Sequence, residues 1–308
     1  SADPSSGSAR AILKESGKTY VETNQFSGGV PNWRPLAGGN EVVWWSERDG
    51  WGHLYLVDAA TGAIKHRITS GDWLVADLLW IDETMRWAYF TAVGREPGRD
   101  PYFRHLYRAK LDGSAVQLLT PEDADHDISV APGGKFVVDN VARPDQPSVT
   151  ILRRIDGTVV KQLQAADISR LVAAGWRPPQ SFTVRARDGV TELRGLLWRP
   201  RHVDSTTRHP IIDYIYPGPQ VGSVGAWTFK NGGEPHALAE LGFIVVQIDH
   251  LGTPGRSKAF HDNYYGNFTD NGLPDHIAAI KQLAARHRFI DIDRVGIFGH
   301  SGGGFAST

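Results

Sequence analysis

An all-β first half made of β-propeller blades, followed by a mostly parallel, doubly wound α/β sheet, is the architecture that this chain of 308 residues predicts. Three observations carry it. Turn glycines recur at intervals of about 40–50 residues through the first half, the length of a four-stranded blade. From residue 210 onward apolar strands alternate with helices, which implies crossover connections and a sheet covered on both faces. Near the end, a strand runs straight into Gly299-His300-Ser301-Gly302-Gly303.

Composition narrows the function classes. Hydrophobic residues at 41% and charged residues at 22% describe a globular chain with ample core. The 33 Lys and Arg nearly balance the 34 Asp and Glu, so there is no electrostatic case for nucleic acid or an acidic membrane surface as partner. No apolar run approaches the roughly 18 residues that span a bilayer. The absence of Cys excludes disulfides, thiolate catalysis and Cys-ligated zinc, and leaves the compartment undecided. Both ends read as cut. Ser1 is not an initiating Met, the run to Arg10 lacks the apolar segment of a signal peptide, and the helix opening at Gly302 stops at Thr308. The chain is therefore expected to be a fragment, with residues 1–39 an upstream propeller remnant or flexible start.

Residues 40–177 are assigned to the blades. Val42-Val43-Trp44-Trp45, Leu54-Tyr55-Leu56-Val57, Trp87-Ala88-Tyr89-Phe90, His105-Leu106-Tyr107 and Lys135-Phe136-Val137-Val138 are short runs rich in aromatic and β-branched residues. Between them stand Asp49-Gly50, Thr61-Gly62, Asp112-Gly113, Gly133-Gly134 and Asp156-Gly157, which tolerate the positive φ of hairpin turns. About three blades fit, fewer than the four or more that close a propeller. A β-sandwich also repeats strands and stays open as the alternative, although a repeat longer than one strand pair favours blades. Trp44, Trp45, Trp51, Trp73, Trp80 and Trp87 are read as core and blade-packing residues.

The pattern changes at Arg177-Pro178-Pro179, and residues 178–308 form the second domain. Phe182–Arg187 and Leu193–Arg199 flank Asp188-Gly189 as a hairpin. Ile211–Tyr216 is a strand ending in Pro217-Gly218-Pro219, Pro235–Leu241 a short helix, and Phe243–Ile248 a central strand. Pro274-Asp275 opens a helix whose Ile277, Ile280, Leu283 and Ala284 recur at helical spacing, and Arg294–Phe298 is the strand before the glycine-rich turn.

A G-x-S-x-G between strand and helix is the nucleophile elbow of an α/β-hydrolase. The glycines let the strand reverse while neighbouring chain passes close by, and the turn leaves the Ser301 side chain exposed at the carboxyl edge of the sheet. The N–H of Gly302 then faces the oxygen that becomes negative during acyl transfer. A phosphate-binding loop is the other reading of such glycines, but the Lys and the spacing of a P-loop are missing.

Three segments together, Tyr216-Pro217-Gly218-Pro219, Asp249-His250-Leu251-Gly252-Thr253-Pro254-Gly255-Arg256-Ser257-Lys258-Ala259-Phe260 and Gly299-His300-Ser301-Gly302-Gly303-Gly304, resemble the prolyl oligopeptidase family, and within it the dipeptidyl peptidase IV branch. The likeness spans most of residues 40–308 and includes the order of parts, propeller then hydrolase. It implies a serine peptidase acting on short peptides by an acyl-enzyme mechanism, the propeller limiting substrate size. It also implies Ser301 as nucleophile and Tyr216 as the second oxyanion donor beside Gly302; an ordinary half-buried aromatic is the alternative for Tyr216. Release of amino-terminal dipeptides with Pro or Ala before the cut follows from the same branch.

The sequence departs from the branch in two places. Gly302 stands where a bulky aromatic usually follows the nucleophile, and no Glu-Glu pair for a substrate's amino terminus is present. Dipeptidyl, tripeptidyl, acylaminoacyl and endo-acting specificities stay unseparated, as does oligomeric state. Asn267-Phe268-Thr269 spells a glycosylation sequon that the chain's likeness to bacterial members argues against.

In this fold the triad runs Ser, then Asp or Glu, then His. Only seven residues follow Ser301, so the acid and base are expected beyond Thr308; the chain as written is expected to lack peptidase turnover and to be poorly soluble. Asp249 and His250 precede the nucleophile and are read as loop-shaping, and His261, His276, His287 and His300 have no positional claim. No metal is expected, since no H-E-x-x-H or ligand-spaced cluster occurs, and no nucleotide cofactor. An esterase of the same fold and a non-catalytic propeller module that binds a protein are the competing functions.

Overall fold

Turn chemistry organises the first three sheets. β1 (Trp33–Pro35), β2 (Glu41–Ser46), β3 (His53–Asp58) and β4 (Ile64–Arg67) form one four-stranded sheet in chain order, and β5 (Leu74–Asp82), β6 (Trp87–Val93), β7 (His105–Lys110) and β8 (Val116–Leu118) a second. Both are antiparallel throughout. β9 (Asp125–Val130), β10 (Phe136–Arg143), β11 (Gln146–Arg154) and β12 (Val159–Ala165) repeat the same order in a third. Each repeat glycine sits between the third and fourth strand of its sheet, and Gly62, Gly113 and Gly157 all have positive φ, at 74°, 77° and 92°. Conformation is not the whole reason for glycine there. A Cβ would lie 2.2 Å from the carbonyl oxygen of Ile12, 2.4 Å from that of Arg67 and 2.4 Å from that of Leu119, respectively. The period seen in the sequence is thus the period at which a hairpin tip touches the backbone before it.

This computed structural model describes all residues except 1, 3, 4, 27, 28, 204–206 and 268. Of the sequon, Phe268 lies outside the described residues, and Asn267 and Thr269 are exposed. Two compact units divide the chain: residues 1–138, 153–159 and 255–262, and residues 139–152, 160–254 and 263–308. In the first unit, Trp45 and Trp73 are buried in a core with Leu54, Leu56, Phe90 and Tyr107, and Trp51 packs half-buried against it. Trp73, Phe90 and Tyr107 stack at centroid separations of 6.2 and 5.8 Å, within the range of favourable aromatic pairs. Trp80 and Trp87 flank a smaller cluster around Leu106 and Val137. The tryptophans named from the sequence that enter these clusters are packing residues.

In the second unit, β13 (Gln180–Arg185), β14 (Glu192–Trp198), β15 (His209–Tyr214), β16 (Ile244–Ile248) and β17 (Ile290–Phe298) make one sheet in the order β13-β14-β16-β15-β17. β16, β15 and β17 run parallel, while β13 and β14 join antiparallel. The expectation of a mostly parallel sheet is therefore corrected to a mixed one, because the hairpin around Asp188-Gly189 adds its two strands to the same ladder. Its helices are α1 (Ser169–Ala173), α2 (Glu234–Glu240), α4 (Leu273–Arg286) and α5 (Gly302–Ala306); α3 (Lys258–His261) belongs to the first unit.

β16 is apolar except for Gln247 and buried at every position, as a central strand must be. The crossover through α2 moves one way along the sheet, from β15 to β16, and the one through α4 moves back, from β16 to β17. Right-handed crossovers then put α2 and α4 on opposite faces. They also leave the carboxyl ends of neighbouring β15 and β17 facing one crevice, the usual ligand position in open α/β sheets. Among the described residues, no helix is long and apolar enough to cross a membrane.

The buried face of α4 differs from the stripe read in the sequence. Ile280 and Leu283 are buried, but Ile277 is exposed, and Asp275 and His276 occupy the face instead. Both are polar groups under obligation to find partners, and those partners tie the helix to the loops around the site.

Candidate active site

The elbow is built by two close approaches and one strained residue. Phe298 ends β17 opposite Tyr214 of β15, and the carbonyl of Phe298 accepts from the N–H of Ile215 at 2.9 Å. The chain then reverses over the end of β15. A Cβ on Gly299 would sit 2.4 Å from the Ile215 carbonyl oxygen, and one on Gly303 only 2.0 Å from it. Any side chain at either position collides with backbone. Gly302 differs, since its Cβ would meet only the Pro217 carbonyl oxygen, at 3.4 Å. Gly303→Ala is therefore expected to cost about 3 kcal/mol or more in unfolding free energy, and Gly302→Ala less than about 1 kcal/mol. Urea denaturation of both variants checks this, and equal losses would refute the packing account.

Between these glycines Ser301 holds φ 55° and ψ −116°, a region that non-glycine residues rarely occupy and that costs about 1–3 kcal/mol. The strain keeps its side chain exposed at the tip of the strand. Gly302 opens α5, so its N–H lies in the first helical turn, where helix geometry provides no intrahelical acceptor.

Ser301, Gly302 and Tyr216 line one cavity of about 310 Å³ with Pro217, Gly218, Pro219, Gln220, Tyr264, Asn271 and Phe305. The structure thus brings together the three site residues named from the sequence. Tyr216 is half-buried just beyond β15 and its N–H donates to Ser223 Oγ at 3.0 Å. Pro217 and Gly218 are buried, and Gly218 pairs across the turn with Val221. Tyr264 and Asn271 were not legible as site residues: the stretch between them is polar and without helical or strand periodicity.

None of His250, His261, His276, His287 and His300 lines the cavity. His276 Nδ1 lies 2.8 Å from the carboxylate of Asp213, and both residues are buried. An Asp within the apolar run of β15 was the sequence signal for such a partner. His250 is fully buried with its ring 5.6 Å from that of His276; burial, and then the neighbouring imidazole, lower its pKa to about 3, so it is neutral at ordinary pH. Its backbone closes a turn with Thr253, in keeping with a loop-shaping role. His287 stacks on Phe289, and His300 is exposed. Among the described residues the lining of the cavity includes no histidine.

One ion cluster fixes the start of α4. The Arg187 guanidinium donates to Asp275 at 2.9 and 2.8 Å and to Asp270 at 2.8 Å, while Asp275 also accepts from the N–H of Leu251 at 3.0 Å. Burial alone would raise the Asp275 pKa, but the Arg187 side chain and the two backbone donors outweigh it and hold the carboxyl below its ordinary value. The hairpin turn, the loop after β16 and the amino terminus of α4 are locked together, and the segment carrying Tyr264 and Asn271 is held between them.

Comparison with known proteins gives similarity at both ends of the chain. Residues 1–148 match the family model described as the dipeptidyl peptidase IV N-terminal region, and residues 227–308 match that of the prolyl oligopeptidase family. Dipeptidyl peptidase 8 of Homo sapiens is 30% identical over 260 residues, 78% of this chain and 28% of that protein. A probable dipeptidyl-aminopeptidase B of Emericella nidulans is 29% identical over 279 residues, 88% of this chain and 30% of its own length. The chain thus spans less than a third of these relatives. Among solved structures, dipeptidyl peptidase 4 of Porphyromonas gingivalis shares the fold with a TM-score of 0.85 at 24% identity, over 99% of this chain and 42% of its own. A putative dipeptidyl aminopeptidase IV of Bacteroides ovatus does so with a TM-score of 0.76 at 22% identity, over 94% of this chain and 42% of its own.

Proposed function

The chain belongs to the prolyl oligopeptidase family, and on that premise we propose that it is part of a serine peptidase that removes dipeptides from the amino termini of short peptides. The observation that carries the reading is Ser301, exposed and strained at the strand tip in one cavity with Gly302 and Tyr216. Ser301 Oγ attacks the scissile carbonyl carbon, and the carbonyl oxygen takes up the negative charge. The N–H of Gly302 and the hydroxyl of Tyr216 donate to that oxygen, a stabilisation worth most where water is excluded. Collapse of the tetrahedral intermediate expels the amine and leaves an acyl ester on Ser301, which water then hydrolyses.

A serine hydroxyl needs a base to take its proton, and an acid group to orient that base. By the chain order of this fold both follow the nucleophile, and we place them after Thr308. The three four-stranded sheets are assigned to a propeller that restricts access; residues 40–177 hold all of their strands but β1 at Trp33–Pro35, which moves its start upstream of residue 40. Residues 178–308 are assigned to the first part of an α/β-hydrolase domain.

The test is hydrolysis of Gly-Pro and Ala-Pro chromogenic substrates by the full-length protein, beside amino-blocked versions and a simple acyl ester. Cleavage of the free-amine dipeptides, loss on blocking and no turnover by residues 1–308 alone are expected. Preferential ester hydrolysis would make the protein an esterase, and equal cleavage of blocked substrates would remove the dipeptidyl assignment.

A further inference from the structure

We propose that Tyr264 is a positioning residue for Tyr216, an inference that rests on the oxyanion role assigned to Tyr216 above. Tyr216 enters a turn, Pro217-Gly218-Pro219, that has little backbone bonding capacity of its own, because neither proline carries an N–H. Within the turn the Tyr216 hydroxyl accepts from Gln220 Nε2 only at a long 3.5 Å, so the direction of the side chain rests mainly on what grips the turn from outside. One grip is Ser223, whose Oγ accepts from the N–H of Tyr216 at 3.0 Å. The other is Tyr264, whose hydroxyl donates to the carbonyl oxygen of Pro217 at 3.1 Å. The two bonds hold successive residues on either side of the peptide that links Tyr216 to Pro217.

Tyr264 is built for placement. Only 4% of it is exposed, although it lines the cavity that contains Ser301. Its ring lies against Gly252, where an added Cβ would approach Cδ2 to 3.0 Å, and 6.2 Å from the ring of His250. Its oxygen is also 3.4 Å from the side-chain amide of Asn271, a buried residue at φ 53° immediately before the αL residue Gly272 that caps α4. A phenol has one hydrogen, which goes chiefly to the shorter contact, with Asn271 Oδ1 as the weaker second acceptor. The two acceptors fix the direction of the hydroxyl while it holds Pro217. An oxyanion donor acts only when it lies at hydrogen-bond distance from the charge that develops, so a loosened turn costs rate more than binding.

The experiment is a double-mutant cycle in the full-length protein with Tyr264→Phe and Tyr216→Phe, followed by steady-state kinetics. Tyr264→Phe alone is expected to lower kcat about 10-fold with KM nearly unchanged. On the Tyr216→Phe background the same change is expected to have less than about a 2-fold effect, since no donor is left to position. Equal effects of Tyr264→Phe on both backgrounds, or a loss confined to KM, would overturn the proposal while the role of Tyr216 stands. A wild-type kcat in Tyr216→Phe would instead remove the oxyanion reading itself. Asn271→Gly keeps the left-handed backbone and removes only the amide. If Tyr264→Phe does not fold, the cycle is run with that variant, and additivity there would overturn the proposal equally.

Discussion

Ser301→Ala in the full-length protein is expected to abolish labelling by a fluorophosphonate and to lower kcat by about 10⁴–10⁶, with KM little changed. Position 301 is forced to φ 55° because the flanking glycines pass within van der Waals contact of the Ile215 carbonyl, and that conformation persists whatever side chain it carries. Alanine therefore removes the nucleophile and little else, and the fold should survive. The remaining rate would come from the oxyanion donors and substrate binding alone. Labelling that persists undiminished in the variant would move the nucleophile elsewhere.

Tyr216→Phe is the second large effect, a fall in kcat of about 10²–10³, as expected for one oxyanion donor. The ring remains to pack at the end of β15, and the bond from the Tyr216 N–H to Ser223 does not involve the side chain. The substitution thus separates a donor from a packing aromatic. A kcat near the wild-type value would return Tyr216 to the category of half-buried strand-end residues. Affinity for a peptide boronate, measured in parallel, should fall with kcat, because the boronate reproduces the tetrahedral charge.

Local chemistry was legible wherever one short segment determined it. Each of the five aromatic runs read as strands lies in β2, β3, β6, β7 or across the start of β10, and the repeat glycines lie at equivalent turns. The elbow was legible because its glycines and serine are contiguous. Long-range pairing was not. Nothing in the hairpin around Asp188-Gly189 announces that β14 will pair with β16 some fifty residues later, and so the mixed character of the sheet was missed. His276 and Asp213 are 63 residues apart, and only an awkward Asp in an apolar strand hinted at the pair. Tyr264 was hidden for a related reason: it ends a single 3₁₀ turn, Asp262–Tyr264, too short to show a period, so its place at the cavity is set by what that turn packs against.

The strand order also sets a timetable. β15 lies between two neighbours that both come later in the chain, β16 beginning at Ile244 and β17 at Ile290. During synthesis the segment that ends in Tyr216 must wait, edges open, until residue 298 has emerged before its second ladder can close. The Ile215 carbonyl that shapes the elbow is thus in place before the serine it constrains has been translated. The cavity cannot form before β17 and the turn after it have emerged, because Ser301 and Gly302 in its lining follow the strand that closes the second ladder of β15.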